Sequence, residues 1–263
     1  MKTLFSGFLL EHAFHVVQPI IDAKTNETHF FELLTRVEYG GKTYLPKDFI
    51  NEMSPKMKFE LAIRLFHTIT SLQRIYTGLS FSLNITAFDL EMGLEDVIDK
   101  LMEQDNTRVD AKRCIIEITE QTDFEKPLIF ETILSLKNKY GFRFALDDFG
   151  SGYSNLKLLL RKNSGFDYIK IDGSLVQDVC TDEAEREKLK SLVHMIQQSK
   201  KKAIVEFISN EEELKTVIET AKPDYLQGFY IGEPQPIEHF VVIPKKHCSN
   251  KVSFLSLVDE KRA

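Results

Sequence analysis

Short apolar runs in this chain keep closing on, or carrying within them, a residue able to bind a metal ion or a phosphate. Glu32 sits in Phe31-Glu32-Leu33-Leu34, Asn84 follows Phe81-Ser82-Leu83, and Glu117 interrupts Ile115-Ile116 and Ile118. Asp147 and Asp148 follow Phe144-Ala145-Leu146, Lys170 lies between Ile169 and Ile171, Glu206 follows Ala203-Ile204-Val205, and Gln227 follows Tyr225-Leu226. One acid in an apolar run is usually a local core defect with its own hydrogen-bond partner. A series of them, spread over the whole chain, calls for a fold that gathers strand ends at one place.

The runs have the length and composition of strands, over residues 14–20, 30–36, 80–85, 114–119, 142–147, 167–171, 203–207 and 224–229. Between them the spacing turns helical. Met57, Leu61, Leu65 and Ile69 predict a helix over 55–75, and similar patterns cover 127–140 and 184–199. Asn210 with Glu213 predicts a capping box ahead of Leu214 and Val217. Residues 22–28 leave no room for a helix, so the first two strands should pair antiparallel as a hairpin. Eight strands with intervening helices predict an α/β fold, a (β/α)8 TIM-like barrel irregular at its start. An open doubly wound sheet is the competing architecture. Gly150-x-Gly152 lacks a third glycine and follows acids, so it is not a dinucleotide fingerprint. The expected organisation is a single barrel domain over residues 1–240 and a C-terminal extension over 241–263 with no assigned role.

In a barrel these polar residues converge at the C-terminal mouth. Carboxylates crowded together in low dielectric repel one another strongly. Hard divalent ions, Mg²⁺ or Mn²⁺, relieve that repulsion and prefer oxygen ligands. Histidine is absent from the set, which argues against zinc. Asp147-Asp148 alone reads as well as a turn, but adjacent carboxylates also bridge two metals. Lys170 adds a fixed positive charge for a phosphate or an attacking hydroxide. The residues point to metal-assisted hydrolysis or phosphoryl transfer. Proton abstraction next to a carboxylate, as in enolase-type barrels, is the other chemistry they allow.

A net charge of -6 argues against a nucleic-acid backbone binder. Lys200-Lys201-Lys202 and Lys245-Lys246 read as solvated surface. Cys114, Cys180 and Cys248 are odd in number and lack metal spacing, which suits free thiols in a reducing cytoplasm. Glu11-His12 cuts the apolar start of the chain, against a signal peptide, and no stretch reaches the ~20 apolar residues of a membrane span. His12 and His15 read as surface or rim residues, His29 as lying near the opposite end of its strand, and His194 as structural. The Phe residues read as core.

The ordered motifs resemble the EAL-domain family, the bacterial cyclic di-GMP phosphodiesterases. The likeness spans residues 18–236. It runs through Gln18-Pro19-Ile20, Phe31-Glu32-Leu33-Leu34-Thr35-Arg36, Asn84-Ile85-Thr86 and Glu117-Ile118-Thr119-Glu120. It continues through Asp147-Asp148-Phe149-Gly150-Ser151-Gly152-Tyr153-Ser154, Lys170-Ile171-Asp172, Gln227-Gly228-Phe229 and Pro234. The resemblance implies a (β/α)8-like barrel with an antiparallel first strand and hydrolysis of cyclic di-GMP to linear pGpG by a cytoplasmic homodimer. It also implies two Mg²⁺ or Mn²⁺ ions. Glu32, Asn84, Glu117 and Asp147 match the ligands of one ion, and Asp147 and Asp148 those of the second. Glu206 matches a general base or metal ligand, and Lys170 a lysine near the attacking water. Gln18, Arg36 and Gln227 match substrate-side polar residues, and Glu120 an acid that orders the loop after strand five.

Two motifs depart from the family. The namesake Glu-Ala-Leu reads Glu32-Leu33-Leu34, with leucine crowding a small position. The strand-seven motif, Glu-Gly-Val-Glu, reads Glu206-Phe207-Ile208-Ser209. The second acid is lost, and Phe207 stands where glycine lets backbone approach closely. The alternative reading is therefore a catalytically impaired module that binds cyclic di-GMP or a protein partner.

Overall fold

The computed structural model describes residues 10–103, 109–119, 127–150, 159, 161 and 164–241. β1 (Ala13–Asp22) and β2 (Thr28–Tyr39) pair antiparallel, with Gln18 opposite Glu32 and Phe14 opposite Arg36. Asp22 closes their turn by accepting from the N–H groups of Lys24 and Thr25. β4 (Phe81–Ile85), β5 (Cys114–Thr119), β6 (Arg143–Phe149), β7 (Tyr168–Ile171) and β8 (Lys202–Val205) follow from β2 as parallel neighbours. β9 (Tyr225–Leu226) lies parallel to β8 and antiparallel to β1. Because β1 pairs with both β2 and β9, the sheet closes into an eight-stranded barrel. That is the predicted (β/α)8-like barrel with an antiparallel first strand, and the closure rules out the open sheet.

β3 (Lys42–Tyr44) hangs on β2 outside the ring. Gly40 and Gly41, at φ 60° and 73°, make the two-residue turn between them. The Gly-Gly pair was the signal for this hairpin, and the sequence reading passed over it.

The helices Pro55–Ile75, Pro127–Tyr140 and Glu183–Gln198 fall where the apolar spacing puts them. Ser54 caps the first, its Oγ accepting from the Met57 N–H at 3.3 Å, with Pro55 at the first helical position. Asn210 caps the helix Glu211–Thr220 in the same way, accepting from the Glu213 N–H at 2.9 Å. The predicted capping box forms only by half. The Glu213 carboxylate reaches Ser209 instead, accepting from its N–H at 2.7 Å and its Oγ at 2.8 Å.

Strand pleating sorts the apolar side chains into two layers. Leu33, Leu83, Ile116, Ile118, Ile169 and Ile171 face outward, into the core between barrel and helices. Leu33, which replaces the family's alanine, is absorbed there at 2% exposure and crowds nothing at the mouth. Ile20, Phe30, Ile115, Ala145, Tyr168, Ile204 and Tyr225 face inward and plug the barrel. Beneath the plug, His29 stacks on Tyr225 with ring centroids 4.2 Å apart. The Tyr168 hydroxyl accepts from Arg143 at 2.6 Å and lies 3.1 Å from His29 Nε2. His29 thus stands at the end of β2 away from the mouth, as its position in the sequence suggests.

Candidate metal centre at the barrel mouth

A step of two residues along a strand keeps a side chain on the same face. Two residues beyond Phe30, Ile115, Ala145, Tyr168, Ile204 and Tyr225 stand Glu32, Glu117, Asp147, Lys170, Glu206 and Gln227. β1 runs the other way, so its matching residue is Gln18, two before Ile20. Asn84 is two beyond Ser82, which sits beside Ile115 in the barrel wall. Each of these polar residues therefore enters the mouth as the next layer above the apolar plug. Glu206 and Gln227 lie just past the ends of β8 and β9 rather than within them.

Lys170, 1% exposed, holds the centre. Its Nζ lies 2.6 Å from Glu117 Oε2, 2.9 Å from Glu206 Oε1, 3.0 Å from Asp147 Oδ1 and 3.4 Å from Glu32 Oε2. Glu32 also accepts from Asn84 Nδ2 at 2.7 Å and from Gln227 Nε2 at 2.7 Å. Gln227 Nε2 reaches Gln18 Oε1 at 3.2 Å, and Gln18 donates to the Gly232 carbonyl at 3.0 Å.

One ammonium does not balance four buried carboxylates. Burial, then the neighbouring carboxylates, pushes Glu117 up to about 8 despite Lys170. Burial likewise raises Asp147 and, more strongly, Glu206. Burial would also raise Glu32, but Lys170 and the Gln227 and Asn84 hydrogen bonds outweigh it and hold Glu32 below its ordinary value. Two of the buried oxygens lack a hydrogen bond. Glu117 Oε1 has none, and Asp147 Oδ1 touches Lys170 without hydrogen-bond alignment. Carboxyls that cannot all ionise around one ammonium, and a buried Glu117 oxygen with no hydrogen bond, fit added hard cations.

Asp147 and Asp148 should point to opposite faces of β6 by simple alternation. A register irregularity between Leu146 and Phe149 breaks it, and Asp148 turns left-handed at φ 58°. Asp tolerates that conformation better than most residues, and bulges commonly re-aim side chains beside active sites. Carboxylate oxygens of Asp147, Asp148 and Glu206 consequently lie within 4.8 Å of one another, close enough to share a metal ion.

Arg36 stands higher on the same face of β2. There, Phe14, Val16, Arg36, Leu45, Phe229 and Glu233 help line a groove of about 370 Å³. Phe14 and Glu233, which line this groove, were not singled out from the sequence, and Phe229 was quoted only within its motif. Phe14 was legible, since it continues the face of β1 that carries Ile20, Gln18 and Val16. Among the described residues, the reading of Phe as core fails at Phe14, Phe207 and Phe229, which are 38%, 64% and 65% exposed. Ser209 does not replace the family acid in the cluster but is spent on Glu213. His12 is exposed and His15 half-buried near the β1–β2 rim, and His194 is exposed on its helix. Cys114 and Cys180 are free thiols. Glu120, Cys248, residues 151–154 of the loop after β6 and the extension from residue 242 lie outside the described residues. Among the described residues no helix is long and apolar enough to cross a membrane.

A model of the EAL domain matches residues 7–234. The cyclic di-GMP phosphodiesterase PdeA of Borreliella burgdorferi is 30% identical over 235 residues, 84% of this chain and 33% of the relative. The chain thus spans about a third of that relative's length. An EAL domain protein from Listeria monocytogenes EGD-e superimposes with a TM-score of 0.72 at 25% identity, over 87% of this chain and 91% of that one. The manganese and cyclic di-GMP complex of Klebsiella pneumoniae BlrP1 superimposes with a TM-score of 0.69 at 21% identity, over 85% of this chain and 56% of that one. The last is a likeness of fold alone.

Proposed function

The chain belongs to the EAL domain family, and on that premise we propose that it is a metal-dependent phosphodiesterase that hydrolyses cyclic di-GMP to linear pGpG. The observation that carries this reading is the buried ring of Glu32, Glu117, Asp147 and Glu206 around Lys170, with an orphaned oxygen on Glu117. Glu32, Asn84, Glu117 and Asp147 would hold one Mg²⁺ or Mn²⁺, and Asp147, Asp148 and Glu206 a second. Such ions, when bound, supply charge to the phosphate and lower the pKa of water.

The chain's own groups do the rest. Glu206, set beside Asp147, Asp148 and Lys170, takes the proton of the attacking water. Lys170 keeps its charge, because the surrounding carboxylates overcome its burial, and it orients the nucleophile and steadies charge building on the phosphate. Gln18, Gln227 and Arg36 hold the dinucleotide against the mouth. A P–O bond to water forms as one P–O ester bond breaks, and the released sugar oxygen takes up a proton from Glu206 or from solvent, which opens the ring to the linear product.

The test is turnover of cyclic di-GMP by the purified protein with Mn²⁺ and with Mg²⁺, product resolved by chromatography, with Asp147→Asn alongside. Linear pGpG from the wild type and not from Asp147→Asn is the expected result. The second reading, a module that binds cyclic di-GMP without cleaving it, is favoured by one feature, the altered segment in which Phe207 is left-handed and Ser209 is bound to Glu213. Binding with no product in either metal would select it.

A further inference from the structure

Phe207 combines an unusual backbone with an exposed aromatic side chain. Its backbone is left-handed at φ 59°, an outlier for a bulky residue, and the residue is 64% exposed. The surrounding chain enforces both. Glu206 faces the mouth at 7% exposure, while Ile208 is fully buried in the outer core. Ile208 is also tied to the next loop, its N–H donating to the Gln227 carbonyl at 3.1 Å and its carbonyl accepting from Tyr230 at 3.0 Å. Phe207, between these two anchors, is turned out onto the rim.

The ring is nevertheless seated. A Cβ on Gly173 would fall 2.3 Å from Phe207 Cγ and 2.6 Å from its Cβ and Cδ2. Gly173 follows Lys170-Ile171-Asp172, so the ring lies over the gap between the ends of β7 and β8, beside the acid cluster. Backbone strain that concentrates at a site, together with a fixed and exposed aromatic surface, is the pattern of a ligand contact.

We infer that Phe207 is a stacking platform for a purine base of the substrate, and so a substrate-binding residue. This rests on the phosphodiesterase reading above, in which the acid cluster faces the phosphate and a base projects from the adjoining sugar. Aromatic faces stack on bases whatever their hydrogen-bonding edges.

The test compares KM for cyclic di-GMP, or Kd should no product form, in wild type, Phe207→Gly and Phe207→Tyr with saturating Mn²⁺. Glycine adopts the left-handed backbone freely, so Phe207→Gly should melt no lower than wild type and the comparison is not confounded by unfolding. The expected result is a rise in KM or Kd of about 5- to 100-fold for Phe207→Gly, with kcat moving less, and a value near wild type for Phe207→Tyr. Equal affinity in wild type and Phe207→Gly, or equal losses in the Gly and Tyr variants, overturns the platform and leaves the phosphodiesterase reading standing. A wild-type protein that neither binds nor hydrolyses cyclic di-GMP overturns that reading, and the platform with it.

Discussion

Lys170 is the residue on which the mouth depends when no cation is bound. Its ammonium meets Glu32, Glu117, Asp147 and Glu206 in an almost fully buried cluster. Removing one partner from a buried charge cluster typically costs about 3–5 kcal/mol. Lys170→Met should therefore lower stability by about that much in EDTA, and Mn²⁺ should restore part of the loss. Urea unfolding with EDTA and with Mn²⁺ reads both effects, and a midpoint that the substitution leaves unmoved would contradict the role given to the lysine. Glu206 is separable from it. If it is the base, Glu206→Gln should slow turnover by about 10²–10⁴-fold while the fold holds. Steady-state kinetics on cyclic di-GMP decides this, and an unchanged kcat removes Glu206 from proton transfer. Both residues were legible in the sequence, because each breaks an apolar run. Their common contact was not, since they come from different strands.

Among the elements, the end of β6 and the segments following β8 and β9 depart from regular strand geometry, and each departure positions a residue of the mouth. The irregularity in β6 brings Asp148 to the side of Asp147. The left-handed turn after β8 lets Glu206 face inward while Ile208 returns to the core. The segment after β9 then packs directly on that turn. A Cβ on Gly228 would lie 2.2 Å from the Ile208 carbonyl oxygen and 2.3 Å from its nitrogen. Those are backbone atoms with no freedom to yield. Gly228→Ala should cost about 1–3 kcal/mol, the usual range for forced overpacking, and should weaken metal binding by displacing Gln227 and Glu206. Thermal melts and metal titration calorimetry check the two effects, and a melting temperature equal to wild type would show that the loops can part. Helix positions were readable from spacing alone, since Met57, Leu61, Leu65 and Ile69 mark one face. The bulge and the left-handed turn were not, because no periodicity encodes a single residue at positive φ.

On the scale of the whole molecule, the barrel separates two polar clusters by an apolar plug. Acids and Lys170 fill the mouth, and on the other side His29 and Arg143 meet the Tyr168 hydroxyl, with His29 stacked on Tyr225 at the lower edge of the plug. Burial, then the Arg143 charge, lowers His29 from 6.5 to about 4. Between those values the unfolded chain binds a proton that the folded chain refuses. Stability from this group is therefore complete above pH 6.5 and is lost as the pH falls toward about 4. His29→Phe keeps a ring against Tyr225 without the titration, so its stability should fall less steeply with acid. Urea midpoints of the two proteins across that window test the expectation. Parallel slopes would mean that His29 is protonated in the fold.

The order of strand and helix, the inward identity of Glu32, Glu117, Asp147, Lys170, Glu206 and Gln227, and the hairpin at the start were all determined by the sequence itself. Alternation and spacing are local properties, and a two-residue period marks a face before any fold is known. Tertiary structure alone decided that β1 closes the ring, that four carboxylates share one ammonium, and that Phe207 stands exposed on Gly173. Each of these depends on contacts between residues far apart in the chain, whose energies come from burial and charge. Neither exists until the barrel has closed and removed the water.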